Sequence, residues 1–438
     1  MYKNILSLIL ASLVGSAMAQ SKIKFEEYDL DNGLHVILHE DHSTPIVAVS
    51  VLYHVGSKNE KEGRSGFAHF FEHLMFEGSP NIKRGEYMKI VSANGGALNA
   101  NTSFDRTYYY EILPSNQLEL GLWLESERML QAKVDIEGVN TQREVVKEEK
   151  RLRVDNQPYG SFQEKMFGTA FKGSYYEISP IGTMEDLNAA EEADFKDFYS
   201  TFYVPNNATL SIAGDIDIDQ AKEWIDKYFS TIPKGTKEIP RPTEKPAPLS
   251  GEVVDTVYDN IQLPGVFIGY RCPERGTKEA YAMDMISTVL ADGQSSMLYK
   301  SIVDEKQLGV VVQAFNFSLE NASLFIAFGL ANPDTELDAF IQAIDDEVNT
   351  LIQEGISEED YMKIQNQIEN DFVSTNGRVA GIAESLADNH VYLGDANLIN
   401  TEIKNYREIS AEYLQKVAAK YLVPENRVVL KYLPQNEQ

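Results

Sequence analysis

His69-Phe70-Phe71-Glu72-His73 sets two imidazoles four residues apart with a carboxylate between them. At 3.6 residues per turn the spacing predicts a helix with His69 and His73 on one face, so that both rings reach one metal ion at ~2.0–2.1 Å. Glu72, three residues after His69, lies close enough to that face to reach a water in the metal's open position. The order reverses the commoner His-Glu-x-x-His arrangement and matches the inverted zinc-peptidase motif. A His pair at this spacing also arises by chance, and Phe70, Phe71, Leu74 and Met75 say only that the helix has a buried side.

Catalytic zinc usually takes three protein ligands and leaves one position for water. The downstream stretch Thr141-Gln142-Arg143-Glu144-Val145-Val146-Lys147-Glu148-Glu149-Lys150-Arg151-Leu152 has no Pro or Gly and reads as helix. Val145, Val146, Glu149 and Leu152 share one stripe, while Glu144 and Glu148 fall on a more polar side. Glu149 is then a carboxylate on an apolar face. Two partners suit it, a metal ion or the neighbouring cations Lys150 and Arg153.

His-x-x-Glu-His followed 76 positions later by Glu149, inside an Arg-x-Val-Val-x-x-Glu helix, resembles the pitrilysin family, which includes insulysin and the mitochondrial processing peptidase. Further family-like landmarks are Leu30-Asp31-Asn32-Gly33-Leu34, Gly56-Ser57 with Glu60, Gly95-Gly96-Ala97-Leu98-Asn99-Ala100 and Tyr203-Val204-Pro205-Asn206-Asn207. The resemblance runs from about residue 25 to the C-terminus. It implies that His69, His73 and Glu149 hold one zinc ion per chain and that Glu72 is the general base of peptide hydrolysis. It also implies that substrate is held as an added strand along Leu98, Asn99, Ala100 and Asn101. From the local pattern alone, this Gly-flanked segment running into Thr107-Tyr108-Tyr109-Tyr110-Glu111-Ile112 is equally an ordinary sheet strand.

Composition points to an exported globular protein. Lys3, the apolar run Ile5 to Val14 and Ala17-Met18-Ala19 read as a signal peptide over residues 1–19, for a periplasmic or secreted mature chain. Its apolar run is too short to anchor the mature protein, and no later stretch stays apolar for the ~18 residues of a membrane span. Cys272 is the single cysteine, which excludes an intramolecular disulfide and suits a buried thiol. The net charge of −28 excludes nucleic acid and anionic membrane as partners, and peptides are the expected substrates.

An internal repeat sets the domain organisation. Phe202-Tyr203-Val204-Pro205-Asn206-Asn207 returns in outline as Tyr421-Leu422-Val423-Pro424-Glu425-Asn426, each closing one half. Pro45 opens a strand, a loop and the His-x-x-Glu-His helix. Pro264 opens Val266-Phe267-Ile268-Gly269-Tyr270, a loop and a helix through Met283-Met285-Leu290 that carries no such motif. The expected organisation is a zinc-binding catalytic domain at 20–235, a Pro-rich linker at 236–252 and a related metal-free domain at 253–438. Strands alternate with long amphipathic helices such as Leu118 to Lys133 and Glu336 to Glu354. The expected class is α+β, each domain a mixed, largely antiparallel sheet covered by helices.

The second half departs from the family pattern. Where related peptidases carry an Arg and, seven positions later, a Tyr near the substrate, alignment on Gln307-Leu308-Gly309 leaves Val303 and Val310. Neither valine can donate a hydrogen bond to a substrate carbonyl. Two classes follow: a zinc endopeptidase that borrows the missing groups from a homologous metal-free subunit or works as a homodimer, and a catalytically inactive zinc-binding scaffold or assembly protein. Elsewhere, the alternating pattern around His35 and His39 puts both on a solvated sheet face, and His54 and His390 have no visible partners.

Overall fold

The computed structural model describes residues 22–435, so the signal-peptide reading of residues 1–19 lies outside the described residues. β1 (Glu26–Asp29), β2 (His35–Glu40), β3 (Ile46–Tyr53), β4 (Ala97–Thr102), β5 (Thr107–Pro114) and β6 (Ala208–Gly214) form a six-stranded sheet in the order β1-β2-β6-β3-β5-β4. β7 (Val253–Asp259), β8 (Gly265–Cys272), β9 (Gly309–Phe317), β10 (Ser323–Ala331) and β11 (Arg427–Pro434) form a five-stranded sheet in the order β7-β11-β8-β10-β9. In each sheet a single pair is parallel, β2 with β6 and β7 with β11. The run β2-β6-β3-β5-β4 is therefore repeated, strand for strand and sense for sense, by β7-β11-β8-β10-β9. With long helices on the sheets, the fold is α+β in two related halves.

The repeat legible in the sequence has a physical role. After the helix Glu192–Phe202 the chain turns through Pro205 into β6, and Asn207 Nδ2 donates to the Phe202 carbonyl at 2.8 Å. After the helix Ala411–Tyr421 it turns through Pro424 into β11, and Asn426 Nδ2 donates to the Tyr421 carbonyl at 2.9 Å. The same side chain thus satisfies the same orphan helix carbonyl in both halves.

Both faces of each sheet are buried, and each half supplies part of the other's cover. Val36, Leu38, Val47, Val49 and Val51 face a core shared with the helices Leu118–Gln131 and Ile218–Phe229. Their neighbours Ile37, Ala48 and Ala213 point the other way, onto Val379, Ile382, Ala383 and Leu386 of the helix Val379–Leu393, which belongs to the second half. In return, Met166 and Phe167 of the first-half helix Phe162–Ala170 pack on Phe267, Ile326 and Leu430 of the second sheet. Gly269 in β8 makes room for this, because a Cβ there would stand 2.4 Å from Met166 Sδ.

That cover corrects the reading of two histidines. The face carrying His35 and His39 is not solvated: His39 is buried with Nδ1 2.6 Å from the Lys24 carbonyl, and His35 stacks on His390, ring centroids 3.5 Å apart. His54, too, has a partner, with Nε2 2.9 Å from Glu320. Charge also crosses between the halves. Lys58, almost fully buried, pairs with Asp105 at 2.9 Å and with Glu320, and Arg106 pairs with Glu384 and Asp388.

Both tryptophans, Trp123 and Trp224, lie in the first half. Leu386→Ala, in the second half, removes a fully buried side chain from the shared seam. The substitution is expected to cost about 2–5 kcal/mol and to lower the midpoint of the tryptophan-reported urea transition. An unmoved midpoint would show that the seam does not couple the halves.

Candidate metal centre

The His-x-x-Glu-His segment lies on the helix Phe67–Leu74. Its start is set by Gly66, at φ 85° in the left-handed region, packed against Gly182 so closely that neither backbone has room for a side chain. The Glu60 carboxylate accepts from the amides of Gly66 and Ala68, both at 2.8 Å, and so caps the helix. Phe67, Phe70, Phe71 and Leu74 are buried, with rings of Phe195 and Phe198 within stacking distance. Once that face is turned inward, helical periodicity leaves His69, Glu72 and His73 on the opposite side.

Glu149 comes from the helix Ile136–Lys150, N-capped by Asp135 through the Gly138 amide. Of the apolar stripe expected on this helix, only Val146 is buried; Val145 and Leu152 are exposed. Glu149 thus faces a cavity and not a core. Its Oε2 lies 3.2 Å from His73 Nε2 and 3.6 Å from His69 Nε2, and a ligand atom from each of the three residues lies within 4.8 Å of the other two. These distances bracket the ~3.3 Å edge of a tetrahedron with metal–ligand bonds of ~2.0–2.1 Å. The donor set, two imidazoles and one carboxylate, suits zinc. The cationic partner also exists, since Arg153 lies 3.1 Å from Glu149 Oε1.

The electrostatics separate the two glutamates. The contact with His73, reinforced by His69 and Arg153, holds Glu149 down to about 2. Burial raises Glu72 above the ordinary carboxylate range, opposed by a hydrogen bond from the Thr102 hydroxyl to its Oε2 at 2.7 Å. Burial, then the charge of His73, push His69 down to about 4, so its ring is neutral at pH 7 and free to act as a ligand.

Thr102 ends β4, the outermost strand of the first sheet, whose far edge pairs with no other strand among the described residues. Leu98, Asn99, Ala100 and Asn101 line, together with His69, Glu72, His73 and Glu149, one open cavity of about 730 Å³, walled by Phe76 and Met88. Every residue of its lining comes from the first half. Val303 packs against the second core, and Val310 is exposed on β9, the counterpart of β4; neither lines the cavity. Thr102 joins the site by tertiary placement, and Arg153 by its i,i+4 spacing from Glu149. Thr102 is legible only as one more residue of a strand, and Arg153 only as a helical neighbour of Glu149.

Residues 35–183 match the insulinase model of peptidase family M16, and residues 190–368 match the M16 inactive domain. Zinc protease PqqE of Helicobacter pylori is 32% identical over 95% of this chain and 94% of its own length. The chain belongs to peptidase family M16. The crystal structure of a protease from Helicobacter pylori has the same fold with TM-score 0.90 at 31% identity, covering 94% of this chain and all of that one. An M16 inactive domain from Pseudomonas fluorescens shares the fold with TM-score 0.85 at 13% identity, covering 95% of this chain and 99% of that one. This is a family of zinc proteases, and the inactive-type model falls largely on the half without the metal-ligand set.

Glu149→Gln removes the one anionic member of the set without changing its shape. Zinc affinity, measured by competition with a chromogenic chelator, is expected to fall by more than ~100-fold, beyond what outer-shell changes cost. Unchanged affinity would exclude Glu149 as a ligand.

Proposed function

We propose that the chain is the zinc-bearing subunit of an M16 endopeptidase that cleaves peptides or unstructured segments. His69, His73 and Glu149 are the ligands and Glu72 is the general base. The observation that carries this reading is the convergence of three ligand atoms within 4.8 Å, with a second carboxylate, Glu72, held beside them by a hydrogen bond from the open edge strand.

Zinc held by the three residues supplies Lewis acidity toward the scissile carbonyl and the attacking water. Glu72 accepts a proton from that water and returns it to the leaving amine nitrogen. Its raised pKa makes it a better proton acceptor at neutral pH than an ordinary carboxylate, and Thr102 fixes its orientation. The free backbone groups of β4 hold an extended peptide as a further strand, with Leu98, Asn99, Ala100 and Asn101 beneath it.

Val303 and Val310 offer no donor to the substrate, so the reading includes a homologous metal-free subunit, or a second copy, that completes the site. The periplasmic protease PqqL of Escherichia coli supports such pairing: its fold matches 94% of this chain over only 47% of its own, at 20% identity and TM-score 0.78. The pattern of residues 1–19 supports export to the periplasm. No helix among the described residues is long and apolar enough to cross a membrane. The same two valines, with the inactive-type second half, favour the alternative of a zinc-binding scaffold that no longer hydrolyses peptides.

Zinc content and quenched-peptide hydrolysis, measured with and without proteins that co-purify from the native source, separate these readings. Activity that appears only with a partner supports the split site, and chelator-sensitive activity of the chain alone supports a self-sufficient enzyme. Zinc without activity in either setting supports the scaffold. Glu72→Gln is expected to retain zinc and lose ~10³-fold or more in kcat, in line with the roughly 10²–10⁴-fold worth of general acid–base catalysis; near wild-type turnover would remove Glu72 from the mechanism. Thr102→Val removes a hydrogen bond that favours the charged form of Glu72, so the carboxyl should titrate at higher pH. The acid limb of kcat/KM is expected to move up by about one pH unit, and a downward shift would contradict the assignment.

A further inference from the structure

A second group of metal-ligating side chains lies far along the first sheet from β4, where β1, β2 and the helix Val379–Leu393 meet. In the β1–β2 register His35 stands opposite Asp29, with Glu27 on the same face of β1 two residues earlier. His390, in the last turn of the helix, lays its ring flat on that of His35, with centroids 3.5 Å apart and planes 4° apart. Ligand atoms of Glu27, His35 and His390 all lie within 4.8 Å of one another, the same two-imidazole, one-carboxylate set as at the first centre.

The hydrogen bonding around His35 uses one ring nitrogen and leaves the other without a partner. Its Nδ1 lies 2.8 Å from Asp29 Oδ1. An ionised carboxylate only accepts, so Nδ1 carries the proton, and Nε2 is the ring atom left for a metal ion. That Nε2 is buried, has no hydrogen-bond partner, and faces Glu27 Oε2 at 3.4 Å. A carboxylate that orients a histidine through its other nitrogen is the usual second shell of a metal ligand, and Asp29 occupies that position. The helix C-terminus adds a field that favours a cation.

We propose that Glu27, His35 and His390 form a second site for a divalent transition-metal ion, with Asp29 orienting His35. The ion ties β1 and β2 of the first half to the helix that the second half lends to that sheet. The rings lie parallel with centroids 3.5 Å apart, so one ion lies in both ring planes only when His390 turns about its Cβ–Cγ bond. A cavity of about 260 Å³, lined by His35, His390 and Asp29, leaves room for that tilt. The site is structural and independent of the peptidase reading.

The test is metal stoichiometry of the purified protein dialysed against zinc chloride at ~10 μM, a concentration at which a micromolar site is mostly filled. Wild type should hold two zinc ions per chain. Glu27→Gln/His390→Gln and His69→Ala/His73→Ala should each hold one, and the combined variant none. Zinc should also raise the tryptophan-reported unfolding midpoint of His69→Ala/His73→Ala but not of the combined variant. Glu27→Gln alone, an isosteric change at an exposed position, should weaken the second ion by at least tenfold in a chelator titration and guards against misfolding of the double change. A wild type that holds a single zinc, or a Glu27→Gln/His390→Gln variant that still holds two, overturns the proposal.

Discussion

Burial of both faces of two sheets by helices exchanged between the halves is the constraint on which the rest of this structure depends. A strand such as β3, Ile46-Val47-Ala48-Val49-Ser50-Val51-Leu52-Tyr53, carries apolar side chains on both faces and needs cover on both. The first half covers one face with Leu118–Gln131 and Ile218–Phe229; the other is closed by Val379–Leu393 from the second half. With both faces sealed, polar access to the sheet is confined to its edges. β4 is the edge beside the helix that carries His69, Glu72 and His73, and it shares their cavity.

The same burial tunes the chemistry. Glu72 and Glu149 stand next to one another yet are driven apart in acidity, one raised by desolvation and the other lowered by its histidine contacts. In the proposed reading, separation of this kind suits one carboxylate to stay an ionised ligand and its neighbour to accept a proton. Thr102, at the end of the open-edge strand, ties that strand to Glu72 through one hydroxyl.

The acidic surface and the buried charges play different parts. A net charge of −28 governs what approaches the protein. Lys58, Asp105, Glu320 and Arg106 instead meet between the halves, where loss of one partner would leave another charge buried and uncompensated. The placement of the halves that brings these charges together also puts His390 on His35.

Much of this protein was legible in its residues in order. Spacing alone puts His69 and His73 on one helical face with Glu72 beside them, and the repeated Val-Pro-x-Asn turn marks two related halves, because both signals are local and depend only on helix period and turn chemistry. The helix carrying Glu149 was legible for the same reason. Its surroundings were not, for Val145 and Leu152 have the pattern of a buried stripe and yet lie exposed. The solvated reading of His35 and His39 failed likewise, since alternation tells which residues share a sheet face and not what covers it. Only the tertiary structure decided that a helix more than three hundred residues downstream in the chain closes that face. It also decided that Thr102 meets Glu72, that Val303 and Val310 stand away from the cavity, and that His35 and His390 come together, because each is a contact between segments whose separation no local period can encode.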